Sequence, residues 1–433
     1  MFFLSILLTK KFLSIMKISI MLVILMVVIH RLEVSEIKRI KKWTLIYGRR
    51  KTGKTFMIQN FIEYDEFVFV NRDGSIYSDI RGIMTFEALE VLLAQINGVI
   101  VIDEFHRLGK NFLDLIQRIP KKGRLILISS TLNLSKQLIN PQSPILGFFA
   151  EFQIPIIPLK DVIRFLNHLD SKKALEISSI LQEPISIDYF DENNENFIID
   201  VIKYSLKTIP ALIGEIFFEE ERTLSRIYEG ILRAVASGHQ VSSEISSQLF
   251  SLKLIDKDDP SRIQSYLNIL IDLGILKRIK DLRKNRFYYY HVSPLCDLFY
   301  YADEKYSLSN RPVTDKELEK IISQRFPITL ERVIHTALAE KLGYQEFLLK
   351  GKDYDIDGIL VQFKKVQVVF ELKWKNNLKK SDIKKGVENL RVISAQKRIF
   401  IAKSFPQDAN LDQYKDIEFW NPGDLISFII QEQ

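Results

Sequence analysis

Eight residues constrain this chain more tightly than any other stretch. Gly48, Arg49, Arg50, Lys51, Thr52, Gly53, Lys54 and Thr55 satisfy G-x-x-x-x-G-K-[ST] at every fixed position. Residues 43–47, Trp-Thr-Leu-Ile-Tyr, read as a buried strand entering this loop, and Phe56, Ile58, Phe61 and Ile62 follow at helical spacing. A strand, a glycine loop and a helix in that order make a cradle for phosphate. The glycines let backbone N–H groups curl around the anion, and the helix N-terminus adds its dipole. The expected ligand is ATP with Mg²⁺, Lys54 reaching the β- and γ-oxygens and Thr55 offering its hydroxyl to the ion. The pattern predicts an α/β domain on a parallel sheet.

Hydrolysis needs an acidic partner to this loop. Residues 98–104, Gly-Val-Ile-Val-Ile-Asp-Glu, supply four β-branched apolar residues and then two carboxylates. A fully apolar run is what a parallel strand buried on both faces looks like. Asp103 is expected to hold Mg²⁺ through water, and Glu104 to polarise the attacking water. A third run, Leu125-Ile126-Leu127-Ile128, ends in Ser129-Ser130-Thr131, where Ser130 is placed to meet the γ-phosphate or that water.

These elements resemble archaeal P-loop ATPases of the STAND/AAA-like group, which carry a winged helix and a C-terminal nuclease-like region. The resemblance covers about residues 31–433. It rests on an entry segment from Arg31 to Glu36, the loop at 48–55, Asp103-Glu104 and Ser130. In that family a Ser-Pro-Leu-hydrophobic-Gly-Arg segment normally follows. Here the equivalent reads Ser143-Pro144-Ile145-Leu146-Gly147-Phe148, with Phe148 where an Arg is expected. A Gly-x-Pro motif of the lid is represented by Thr208-Ile209-Pro210. Both departures bear on how nucleotide state is sensed, so the resemblance implies ATP binding more firmly than fast turnover.

At 433 residues the chain has room for about three domains. With 47% hydrophobic and 27% charged residues it reads as globular rather than disordered. The single Cys296 excludes an internal disulfide framework and a cysteine-cluster metal site. Residues 12–29 are almost unbroken apolar sequence, interrupted by Lys17. Two readings stay open: a membrane anchor with the N-terminus inside, or a start assigned too early, since Met16, Met21 and Met26 offer later ones. Either way residues 31–433 read as cytoplasmic. The expected organisation is an apolar leader (1–30), a P-loop ATPase domain with lid (31–219), a winged helix (220–311) and a nuclease-like domain (312–433).

The winged helix rests on three helical patterns and two strands. Ile227, Ile231, Leu232 and Val235 repeat at helical spacing, residues 241–245 read as a Ser-capped short helix, and 261–270 form an amphipathic one. Strands at 275–279 and 287–292 enclose a basic loop. The functional reading puts Arg262, Gln264 and Ser265 in a major groove, with Lys280, Arg283, Lys284 and Arg286 on phosphate and Tyr288 and Tyr290 adjacent. The plainer reading is a packing module with a solvated hairpin.

Beyond it, residues 355–361 and 366–373 read as two strands, with Asp357 on the first and Glu371-x-Lys373 on the second. Period two puts Glu371 and Lys373 on one face. With a preceding helix, a helix at 383–393, a strand at 398–402 and a final strand and helix over 417–430, the order resembles the PD-(D/E)xK nuclease superfamily, whose Asp-x(13)-Glu-x-Lys is complete here. The chemistry fits: Asp357 and Glu371 are hard oxygen ligands for a divalent ion, Lys373 would position or deprotonate the attacking water, and Glu331 is a further acidic candidate. Between residues 364 and 398 eleven Lys and Arg face three acids, whereas the whole chain carries +7, so a polyanion is the expected partner there.

The leading expectation is an ATPase whose nucleotide state controls DNA binding or metal-dependent DNA cleavage. The competing one is a STAND-type nucleotide switch that binds DNA or protein without cutting, its nuclease-like domain degenerate. A second copy of the chain stays open as a further partner, as does a membrane.

Overall fold

The computed structural model describes residues 27–132, 145–220, 222–351 and 354–431, which are organised around two seven-stranded sheets. Helix α1 (Leu32–Arg39) leads into β1 (Thr44–Tyr47), and α2 (Lys54–Phe61) follows the glycine loop. Next come β2 (Glu66–Val70), β3 (Ile76–Ser78), β4 (Gly82–Met84), α3 (Phe86–Ala94), β5 (Val99–Asp103), α4 (Lys110–Arg118), β6 (Arg124–Ser129) and β7 (Ala150–Gln153). The strand order is β4-β3-β2-β5-β6-β1-β7. The five strands from β2 to β7 in that order are parallel, and β3 and β4 add an antiparallel edge. Trp43 and Leu45 face one apolar layer, Ile46 the other, which is why this segment shows no clean alternation. Parallel register sets Tyr47 beside Ser129 and Asp103 beside Ile128, so the three predicted functional strand ends emerge side by side.

The segment expected as the lid is helical and follows: α5 (Leu159–Phe165), α6 (Ser171–Leu181), α7 (Phe197–Tyr204) and α8 (Thr208–Glu219). Three more helices, α9 (Arg226–Ala236), α10 (Ser242–Ser251) and α11 (Gln264–Asp272), precede the hairpin of β8 (Leu276–Asp281) and β9 (Phe287–His291). The helix expected at 261–270 starts as a 3-10 turn, Pro260–Ile263, because Pro260 and the Asp259 cap impose a tighter first turn.

After α12 (Pro294–Tyr306), the 28-residue α13 (Asp315–Leu342) opens on a Thr314–Glu317 capping box and closes at Gly343. Then come β10 (Gln345–Lys350), β11 (Asp355–Gln362), β12 (Lys365–Lys373), α14 (Lys380–Arg391), β13 (Lys397–Ala402), β14 (Glu418–Trp420) and α15 (Pro422–Ile430). Strand β10 has no counterpart among the elements expected from sequence.

It matters, because β10 joins two modules that the sequence separates at residue 311. The second sheet runs β14-β13-β12-β11-β10-β8-β9, and β10 pairs in parallel with β8 at Phe347↔Lys280 and Leu348↔Asp281. The hairpin is therefore the edge of the C-terminal sheet, not a free wing. Local sequence cannot carry that information, since it resides in the register between strands about seventy residues apart.

One large core extends from Ile29 through the lid and α9–α13 to the α13-facing side of the second sheet. No helix among the described residues is long and apolar enough to cross a membrane, and most of the 12–29 stretch lies outside them.

Candidate functional site

The loop at 48–55 has the conformation its residues demand. Gly53 takes φ 84° as the residue before α2, and a Cβ on Gly48 would lie 2.3 Å from the Ile154 carbonyl oxygen. Lys54 is buried and donates to the carbonyls of Gly48 and Arg49, both at 2.9 Å. Burial lowers its ammonium to about 8 despite Glu104 and Asp103 nearby. Thr55 Oγ1 donates to Asp103 Oδ2 at 2.6 Å, joining the two residues expected at Mg²⁺. Burial raises Asp103 to about 6, a cost that a cation would relieve. Glu104, at φ 55°, accepts from Ser130 Oγ at 2.7 Å and from the Ser130 N–H at 3.3 Å. The structure thus sets the loop 48–55, Asp103 and Ser130 at one end of the first sheet, with Ser130 addressing Glu104.

A cleft of about 630 Å³ is lined by Arg50, Lys51, Lys54, Thr55, Glu104 and Ser130. Beside it lies a more apolar pocket of about 350 Å³ with Ile29, Phe56, Met57, Phe61 and Phe190 on its walls. Arg31 also lines this second pocket, donating to the Thr52 carbonyl at 3.0 Å and the Pro155 carbonyl at 3.2 Å. A polar cleft next to a more apolar pocket is a shape compatible with a nucleotide.

Sequence reasoning missed the lid's part in it. Glu219, the last residue of α8, receives Arg50 at 3.0 Å, Arg107 at 3.2 Å and Arg72 at 3.4 Å. Burial alone would raise its carboxyl, but Arg107, Arg50 and His106 outweigh it and hold it below the ordinary value. Arg50 also binds Glu215 at 2.8 Å, and Arg49 forms a buried pair with Glu183 at 2.5 Å. Both loop arginines are therefore committed to lid carboxylates that lie more than 130 residues away in sequence. Among the described residues, Glu104, His106 and Glu219 are the one group of three or more His, Cys or carboxylate side chains close enough to share a metal. The three arginines already neutralise it, which disfavours a cation there.

The C-terminal candidates also converge. Gly358 opposes Phe370, so Asp357 and Glu371 are neighbours across β11 and β12. Lys373 Nζ lies 2.6 Å from Glu371 Oε1 and 3.5 Å from Asp357 Oδ2. Asp357 Oδ2 accepts the Leu372 N–H at 2.8 Å, and Asn389 Nδ2 on α14 approaches Glu371 Oε1 at 3.2 Å. Glu371 is 1% exposed, and its Oε2 has no hydrogen-bond partner. Burial, then the adjacent Asp357, push its carboxyl up to about 8. An orphaned buried carboxylate oxygen beside a second carboxylate is a donor set that suits a hard divalent cation. Glu331 is not part of this group: it pairs with Arg332, whose Nη2 binds the Asp357 carbonyl at 2.8 Å.

The hairpin differs most from expectation. Asp281 organises the loop instead of opposing it, accepting from the Arg283 and Lys284 N–H groups at 2.9 Å, Arg286 Nε at 3.1 Å and Tyr288 OH at 3.0 Å. Arg286 is therefore partly spent internally, and Tyr288 and Tyr290 are buried rather than available to a partner. Arg262 pairs with Asp256, and Gln264 donates to the Pro260 carbonyl at 3.3 Å. Phe148 packs against the first sheet's core with Lys121 over its ring, and Pro210 sits in the first turn of α8. Ser143 and Pro144 lie outside the described residues.

Residues 40–154 match a family model described as an AAA domain. An uncharacterised protein of Methanocaldococcus jannaschii is 25% identical over 396 residues, spanning 81% of this chain and 86% of its own length. Among solved structures, the Aeropyrum pernix ORC2 protein in ADPNP–ADP complexes overlaps 71% of this chain and 95% of its own, at 12% identity and TM-score 0.38. A STAND protein with a tetratricopeptide repeat sensor from Pyrococcus horikoshii overlaps 72% and 48%, at 14% identity and TM-score 0.29.

Proposed function

With residues 40–154 similar to AAA domains, we propose that this protein binds and hydrolyses ATP, and that its nucleotide state controls a C-terminal region that binds DNA and cleaves it with a divalent metal. The observation that carries the first half is the convergence of Lys54, Thr55, Asp103, Glu104 and Ser130 on one cleft. Lys54 leaves its two loop carbonyls for the phosphates, and Ser130 aims Glu104, which accepts the proton of the attacking water. Thr55 and Asp103 would hold Mg²⁺, which would neutralise negative charge on the phosphates.

The second half rests on Asp357, Glu371 and Lys373. The two carboxylates would hold Mg²⁺ or Mn²⁺, which lowers the pKa of bound water and stabilises negative charge on a phosphodiester. Lys373 orients the water and meets the developing charge. Lid and site are in contact: Glu176 on α6 accepts from Trp374 Nε1, immediately after the strand that bears Lys373, and from Lys403 Nζ, immediately after β13, each at 2.8 Å. That bridge gives the lid a route to the site. It equally favours the second reading, a switch that binds without cutting.

The test is ATP turnover with and without duplex DNA, alongside cleavage with Mn²⁺ in the presence of ATP or a non-hydrolysable analogue. Lys373→Ala should keep DNA binding and abolish cleavage. DNA binding by the wild type without cleavage under any of these conditions selects the switch.

A further inference from the structure

We propose that the β8–β9 hairpin and the Asp357–Glu371–Lys373 site form one duplex-DNA cradle, the hairpin gripping the backbone within a few base pairs of the site. This placement rests on the DNA reading of the C-terminal region and adds where, and by which residues, the duplex lies. Strand register carries it. Asp281 pairs with Leu348, Leu349 with Ile356, and Gly358 with Phe370, so Asp281, Asp357 and Glu371 lie within one residue of a single row across the sheet. At about 4.8 Å per strand, Asp281 is about 10 Å from Asp357 and about 14 Å from Glu371. The latter distance is close to four base-pair steps of about 3.4 Å.

Strand direction puts the charges at the same end. Strands β8 and β10 finish there, β11 starts there, and β12 finishes there with Lys373. The loop after Asp281 is pinned to that end, since the Leu282 N–H donates to the Leu348 carbonyl at 2.8 Å and Arg283 Nη1 to Tyr354 OH at 3.2 Å. Helix α14 also begins from that end, carrying Lys384 and Lys385 in its second turn. Two lysines of this surface are paired, Lys375 with Asp382 and Lys380 with Asp408. Arg283, Lys284, Lys384 and Lys385 have no carboxylate in ion-pair contact among the described residues. Two free basic pairs thus flank two buried carboxylates, an arrangement that attracts a polyanion to both sides of a site and leaves room for a cation in the middle. Arg286 and Tyr288 hold the loop's shape and do not contact the backbone.

The experiment measures binding of a 12-base-pair duplex to the full chain by fluorescence anisotropy across a salt series, without divalent metal. The variants are Arg283→Gln/Lys284→Gln and Lys384→Gln/Lys385→Gln. All four residues are exposed, so unchanged melting temperatures are expected, and Arg283→Lys controls for charge. Each Gln pair should reduce the log–log salt slope by about 1–2, at about 0.9 per phosphate contact, and Arg283→Lys should leave it at the wild-type value. A normal slope in the hairpin variant with a reduced one in the α14 variant would overturn the shared cradle and leave DNA binding by the C-terminal region intact. Failure of the wild type to bind the duplex would remove the DNA reading itself.

Discussion

The two carboxylate–lysine sites of this chain are built alike and charged oppositely. Each sets a lysine against two carboxylates toward strand ends, buried Lys54 at the start of α2 with Asp103 and Glu104 in the first sheet, half-buried Lys373 with Asp357 and Glu371 in the second. In the first, arginines 50, 72 and 107 converge on Glu219 and hold its carboxyl low. In the second, Lys373 alone serves two buried carboxylates, and the carboxyl of Glu371 is raised. Each site is therefore missing something different. The nucleotide cleft is self-neutralised, its loop arginines already held by lid carboxylates. The C-terminal site is short of positive charge, and under the proposed reading a cation would complete it.

The largest effects belong to the nucleotide cleft. Lys54→Ala should abolish ATP binding measured by calorimetry, because nothing else in the loop supplies a buried ammonium. Glu104→Gln should keep binding and lower turnover by about 10²–10⁴-fold, since an amide accepts no proton from water. Wild-type turnover in Glu104→Gln would remove that residue from its role.

The next effect approaches the contrast from the other side. Mn²⁺ at about 100 times its Kd should raise wild-type stability by about 2.7 kcal/mol in thermal unfolding, and Glu371→Gln should abolish the gain. If the variant gained as much, the orphaned Glu371 oxygen would have no part in cation binding.

A smaller effect tests self-neutralisation. Glu219→Gln should lower stability by about 1.5–3 kcal/mol without nucleotide, the range for a hydrogen bond to a charged group, and by less with ATP, whose phosphates take over the arginines. Because its carboxyl lies below the ordinary value, Glu219 stabilises above the unfolded-state carboxyl pKa, and that contribution is lost as pH falls through the folded value. The variant should therefore show a shallower loss of stability on acidification. Equal destabilisation with and without nucleotide would make Glu219 a structural residue only.

Much of this is legible in the sequence, for a physical reason. Phosphate loops, strand-end carboxylates and Glu-x-Lys pairs are local, and fixed spacing along one strand or turn dictates what they face. Lys54, Asp103, Glu104 and the Asp357–Glu371–Lys373 trio are visible that way. Glu183, Glu215 and Glu219 are not, since they lie on lid segments whose local pattern is ordinary and meet Arg49 and Arg50 only through tertiary packing. The same holds for the hairpin. Its basic residues stand out in the sequence, yet the pairing of β8 with β10 that carries them to the second site depends on a strand, Gln345–Lys350, whose mixed polar and apolar residues do not announce it. Glu331 illustrates the opposite error: an acid near a motif in sequence, with Arg332 already at its carboxylate.

Counting manganese by calorimetry puts the difference between the two sites to the test. Without nucleotide, one Mn²⁺ per chain is expected, lost in Asp357→Ala and retained in Thr55→Ala. With a non-hydrolysable ATP analogue a second is expected, lost in Thr55→Ala and retained in Asp357→Ala. A nucleotide-free protein that binds no Mn²⁺, or whose single Mn²⁺ survives Asp357→Ala, would contradict a C-terminal site that a cation completes.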